Sequence, residues 1–138
     1  MKPVMEEETV SERAQDWIDQ AEWDLKHAEN DVRGEYYEWA CFSAQQAAEK
    51  ALKALYQSQN QVAWGHSVRE LLIGLRGQVP VSDELIDAGK LLDKYYIIAR
   101  YPNGFASGAP KDYFSKHEAE DAISSARTII RFCQDHLA

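Results

Sequence analysis

At 138 residues the chain has the length of one domain, enough to bury roughly two thirds of the surface its unfolded form would expose, so its core needs no disulfide or metal staple. A net charge of -8, from 23 acidic and 15 basic side chains, argues against a general nucleic-acid coat, because phosphate backbones reward dense Lys and Arg. The acid is unevenly spread: residues 1–35 hold 11 carboxylates against 4 cations, whereas residues 36–138 hold 12 against 11, which leaves room for a local anion site later in the chain.

No apolar run approaches the roughly 20 residues needed to cross a bilayer, which excludes a membrane-spanning helix. The opening "MKPVMEEETV" has no stretch resembling a signal peptide. Cys41 and Cys133 fall on apolar positions of predicted helices, as expected of reduced thiols, and together these features predict a soluble, cytoplasmic protein.

The first predicted helix starts at "TVSE", where Thr9 and Glu12 have capping-box spacing, and runs to about Arg33, before Gly34. Trp17, Ile18, Ala21, Leu25 and Ala28 form its apolar stripe, and residues 1–8, with the run Glu6 to Glu8, read as a frayed, solvated end. The second helix, "YYEWACFSAQQAAEKALKALYQSQN", has the strongest periodicity. Tyr37, Ala40, Cys41, Ala44, Ala47, Ala48, Ala51, Leu52 and Leu55 recur at three and four residues, and the abundance of Ala lets neighbouring helices approach closely. Gln46, Glu49, Lys50 and Lys53 lie opposite this stripe. They read either as a solvated face with a Glu49–Lys53 ion pair or as the polar lining of a groove at a bundle or dimer surface.

Trp64-Gly65-His66-Ser67 breaks the pattern, and a short helix "SVRELLIGL" follows, ended by Gly77 and Pro80. A fourth helix opens near Ser82, with Asp83 and Glu84 favourable at its positive end and Leu85, Gly89, Leu92, Tyr96 and Ala99 as its face. Pro102 forbids its continuation and biases Tyr101 away from helical geometry. Arg100, in its last turn, suits the helix dipole; a guanidinium, the Tyr101 phenol and the Asn103 carboxamide at one corner would also suit a phosphate and a base. The fifth helix begins at Ser115, spaced from Glu118 as a capping box, with Ala119, Ala122, Ile123, Ala126, Ile129, Ile130 and Cys133 as its stripe. No segment alternates with period two long enough for a strand. The predicted fold is all-α: one domain, an antiparallel up-and-down bundle of four long helices plus one short helix.

Metal and cofactor chemistry find no support. His27, His66, His117 and His136 lie far apart, and no pair has helical ligand spacing around a carboxylate. There is no Gly-x-Ser-x-Gly elbow, and the Gly104 to Pro110 loop lacks the Lys-Ser or Lys-Thr of a phosphate-binding loop.

Four segments, "WACFSAQQAAEKALKALY", "HSVRELL", "YYIIARYPN" and "HEAEDAISSARTIIRF", together resemble the HEPN domain family over roughly residues 13 to 135; the Gln-Gln-Ala-Ala-Glu-Lys-Ala-Leu-Lys run is the most specific piece. The resemblance implies an up-and-down bundle, commonly homodimeric, with its functional groove at the dimer surface. It also implies a minimal nucleotidyltransferase as a candidate partner, since many bacterial and archaeal members pair with one and some pairs act as toxin and antitoxin. Ribonuclease members carry an Arg followed after four to six residues by a His. Arg100 matches the Arg, but Tyr101 and Pro102 follow it and no His appears until His117. A metal-independent ribonuclease needs a group that takes up and delivers protons near neutral pH, usually His. The departure therefore points away from an enzyme.

The reading that results is a non-catalytic nucleotide- or partner-binding module. In it Arg100 contacts phosphate, Tyr101 stacks on a base, Asn103 supplies directional hydrogen bonds, and Lys53, Gln46 and Glu49 line a polar wall. Two alternatives stand beside it. One is a divergent ribonuclease in which His117 or His66 replaces the missing His. The other is a purely structural dimerisation domain, suggested by Trp23, Trp39, Tyr36 and Tyr56, which exceed what one core stripe can take.

Overall fold

Alanine at the inward positions of the second helix, α2 (Tyr37–Ser58), sets the architecture. Ala40, Ala44, Ala47, Ala48, Ala51 and Ala54 are all fully buried, with Cys41, Leu52 and Leu55 among them. Side chains this short bring neighbouring backbones close on more than one side, so α2 becomes the central helix rather than a one-sided amphipathic one. In this computed structural model, which describes residues 2–138 and side chains from Arg13 onward, α1 (Lys2–Arg33) and α6 (Lys116–His136) both pack along α2 and also touch each other. A short pair, α3 (Val68–Gly74) and α4 (Asp83–Asp93), and a single turn, α5 (Tyr95–Ile98), cover the rest of α2. No strand forms among the described residues. The all-α bundle expected from the periodicities is present.

α1 begins at Lys2, earlier than the start expected at Thr9; the side chains of the Thr9–Glu12 capping box lie outside the described ones. α1 ends as expected at Arg33, but the left-handed residue that closes it is Glu35 (φ 65°) rather than Gly34. The Tyr36 N–H reaches back to the Asp31 carbonyl at 2.8 Å. Gly34 is small for a different reason: a Cβ there would meet the Tyr36 ring at 3.0 Å. At the far end of α2, Asn60 takes the same left-handed geometry (φ 58°), which Asn tolerates, and the Gln61 N–H bonds to the Tyr56 carbonyl at 2.9 Å.

The fourth predicted helix is divided. At Lys94 the ladder tightens to an i−3 bond, Lys94 N–H to the Leu91 carbonyl at 3.4 Å, and α5 starts afresh at Tyr95. Tyr95 points inward and donates to Glu118 of α6 at 3.1 Å, so only half of the expected capping box forms: Ser115 accepts from the Glu118 N–H, while the Glu118 carboxylate serves Tyr95. The expectation that the whole row Gln46, Glu49, Lys50, Lys53 faces away from the core also needs correction. Glu49 is only 4% exposed and its neighbour Gln45 is fully buried, because the Trp64–Ser67 segment lies across them.

Candidate functional site

Pro102 ends α5, and the carbonyls of that last turn are left without helical partners. Arg100 satisfies one of them with its own side chain: Nε and Nη2 donate to the Tyr96 carbonyl at 2.9 and 2.5 Å. This folds the guanidinium onto three rings, 4.4 Å from the centroid of Phe42, 4.8 Å from Tyr96 and 5.1 Å from Tyr101. Nη1 makes no hydrogen bond among the described residues. The chain then makes one turn of 3-10 helix, Pro102–Gly104, packed so tightly on α5 that a Cβ on Gly104 would lie 2.8 Å from Ile98.

The rings around Arg100 belong to a longer row. Trp39 packs edge-on to Phe42 (6.2 Å between centroids), Phe42 is followed by Tyr96 at 6.4 Å, and His66 stacks on Tyr96 at 4.6 Å with only 16° between planes. The row draws on α2, α5 and the segment before α3. Trp39, Tyr101 and the His66 ring remain substantially exposed.

Under His66 sits the buried Glu49. Its carboxylate receives Lys53 Nζ at 2.8 Å and Gln45 Nε2 at 3.1 Å, and lies 3.2 Å from His66 Nδ1. Gln45 also donates to the His66 carbonyl at 3.0 Å and accepts from Gln46 Nε2 at 2.8 Å. Gln45, Glu49 and Lys53 follow at intervals of four, so one helix row supplies the whole network. With Lys53 and Gln45 committed to donating, the carboxylate asks for a proton on His66 Nδ1. In the neutral tautomer with that proton, Nε2 is the acceptor.

Five of the six residues expected from the sequence therefore lie in one connected set. Gln46, Glu49 and Lys53 join through His66 and Tyr96 to Arg100, and Tyr101 covers the guanidinium. Asn103 is exposed on the 3-10 turn and makes no side-chain hydrogen bond among the described residues. Gln46 and Lys53 open on separate depressions of about 380 Å³ and 140 Å³, the first shared with Trp23 and His27 and the second with Trp17 and Gln57. Gln45, Phe42, Trp39 and Tyr96 were not expected at the site; the four-residue spacing of Gln45 to Glu49 was the one signal that could have found the first. Of the two alternative histidines, His117 is highly exposed and among the described residues pairs only with Asp121, at 3.3 Å, whereas His66 lies in the row.

The buried thiols are poor nucleophiles. Burial pushes the Cys41 and Cys133 thiols far up, so neither supplies a thiolate near neutral pH. Among the described residues no three His, Cys, Asp or Glu side chains converge as metal ligands, and no helix is long and apolar enough to cross a membrane.

Comparisons with known proteins bear on the family and the fold. The sequence model of the HEPN domain family matches residues 14–136. TT1696 of Thermus thermophilus, known from a crystal structure, superposes with a TM-score of 0.89 at 46% identity, over 91% of this chain and 98% of that one. An archaeal HEPN homologue, ST0689, gives 0.78 at 37% identity over 91% and 98% of the two chains. A more distant sequence relative, MJ1304 of Methanocaldococcus jannaschii, is 23% identical over 88% of this chain and 86% of its own length, and is provisionally named a toxin.

Proposed function

Because the chain belongs to the HEPN domain family, whose model spans nearly all of it, we propose that the Arg100 corner is a nucleotide-binding site of a HEPN-type module. The observation that carries this reading is the guanidinium held among Phe42, Tyr96 and Tyr101, with His66 extending the row. A cation beside open aromatic faces is what a phosphate joined to a flat base requires: a charge-assisted bond from Nη1 to the phosphate and stacking of the base on Tyr101 or Trp39. Asn103, two residues after Tyr101, supplies the directional donor and acceptor for a base edge. Gln46, Glu49 and Lys53 act mainly by positioning, since their network holds His66 against Tyr96.

A melt of the purified protein with ATP, GTP, their monophosphates and a short single-stranded RNA tests the site. A ligand at a hundred times its dissociation constant adds about 2.7 kcal/mol, or roughly 9 °C for a chain of this size. The expected result is a shift in the parent that Arg100→Ala abolishes while keeping a cooperative melt. If no nucleotide or RNA shifts the parent, the reading is wrong.

The provisional toxin name of the Methanocaldococcus jannaschii relative supports a paired system; a minimal nucleotidyltransferase as the partner and a homodimer as the working form are part of the same proposal and rest on the family resemblance alone. Co-purification with the neighbouring gene products and light scattering test these two points. One observation also favours a catalytic variant of the same site. His66 has Nδ1 on Glu49 and stacks on Tyr96, the ring that Arg100 also contacts, and a neutral imidazole held so would keep Nε2 for general-base work. Metal-independent cleavage of single-stranded RNA that is lost in His66→Ala and kept in His117→Ala would make the module a ribonuclease; no cleavage leaves it a binding module.

A further inference from the structure

A second surface runs along the seam of α1 and α6, sharing no lining residue with the Arg100 corner. Two depressions of about 470 Å³ and 290 Å³ meet there at a common ion pair, Arg127 to Glu29 at 2.7 Å. On either side of that pair the floor is apolar, Val32 with Ile123 in one depression and Leu25 with Ile130 in the other. Both apolar pairs are spaced by seven residues along their helices, the repeat with which a third helix lays its own side chains between two others.

The rim decides what kind of helix. Among the described residues eight Lys and Arg side chains pair with a carboxylate, and six do not. Four of those six, Lys26, Arg33, Lys116 and Arg131, line this one seam. In a chain with eight excess negative charges, that is a local concentration of unspent positive charge. Glu22, Glu29 and Glu120 interrupt it, which disfavours a continuous polyphosphate. We infer that the α1/α6 seam is the docking groove for an acidic amphipathic helix of a partner protein, about 20 residues long, with a heptad apolar face on the floor and Glu or Asp flanks on the four cations.

The probe is a fluorescent 20-residue peptide with Leu at heptad positions and Glu at the flanks, titrated by anisotropy against the full chain. Saturable binding in the micromolar range is expected. It should weaken by about tenfold or more in Lys26→Glu/Arg131→Glu and in the milder Lys26→Gln/Arg131→Gln, both checked for an intact melt, and stay unchanged in Arg100→Ala. Any of four results overturns the inference: no binding by the parent, equal binding of a peptide with Lys in place of Glu, displacement of the peptide by single-stranded RNA whose own binding the double variant weakens, or a homodimer that the double variant dissociates. Loss of nucleotide binding in Arg100→Ala leaves this groove untouched, so the two sites fail separately.

Discussion

Glu49 holds three donors, from Lys53, Gln45 and His66, in a position closed to water. A carboxylate so placed stabilises little by itself, since the cost of taking it out of water offsets most of the attraction, but it penalises the loss of any partner. Lys53→Met should therefore lower stability by about 1 to 3 kcal/mol, read as a shift of the urea midpoint at unchanged slope. Adding Glu49→Gln should recover part of that loss, because the uncompensated charge is gone; a fully additive double variant would contradict the network. The consequence for function is practical. Reduced ligand binding in a Lys53 variant reports on the shape of the site and not on a direct contact, whereas Arg100 bonds only one carbonyl of its own turn and adds cation–π contacts of about 0.5–1 kcal/mol each, so its removal should leave the Glu49 network in place.

The α3–α4 pair decides where His66 stands. Asp93, the last residue of α4, reaches the start of α3 with both carboxylate oxygens: Oδ1 accepts from the Val68 N–H at 2.6 Å, and Oδ2 from the Ser67 hydroxyl at 2.7 Å and the Arg69 N–H at 3.3 Å. These N–H groups have no helical partner of their own, and a negative charge suits the positive end of a helix. Asp93→Ala should cost about 2 to 3 kcal/mol, and Asp93→Asn less, since one oxygen remains to accept. Because Ser67 adjoins His66, the Ala variant should also weaken nucleotide binding, without touching the ligand. Close packing of the two helices depends on Gly89, where a Cβ would sit 3.0 Å from the Arg69 backbone and 3.2 Å from Leu72. Gly89→Ala raises helix propensity yet should lower the melting temperature, by an overpacking cost of about 1 to 3 kcal/mol. A rise in the melting temperature would mean that α3 can move away freely.

Across the molecule, what was legible in the sequence is what helical periodicity encodes. The Ala rows of α2 and α6 name their own buried faces, and Pro102 marks the end of α5 and with it the Arg100 corner. The break at Lys94 left no sequence mark, because Lys94 keeps right-handed helical angles (φ -61°, ψ -25°) and only the bonding shifts. Nor could spacing reveal the Glu49–His66 contact, which spans 17 residues and depends on the path of a loop. The same periodicities make a claim about cooperativity. Cys41 on α2 and Cys133 on α6 are both fully buried, with thiols raised by burial, and α6 packs against α1, α2 and α4 together. A thiol reagent should therefore reach either cysteine only when the bundle opens as a whole. In the native protein, Cys41→Ala and Cys133→Ala should each leave one thiol that reacts at the same slow rate, set by the unfolding equilibrium. A variant destabilised by about 1.4 kcal/mol, such as Lys53→Met, should then speed both reactions by about tenfold. Faster labelling of Cys133 alone would mean that α6 detaches as a unit of its own, and that the α1/α6 seam opens on a timescale separate from the Arg100 corner.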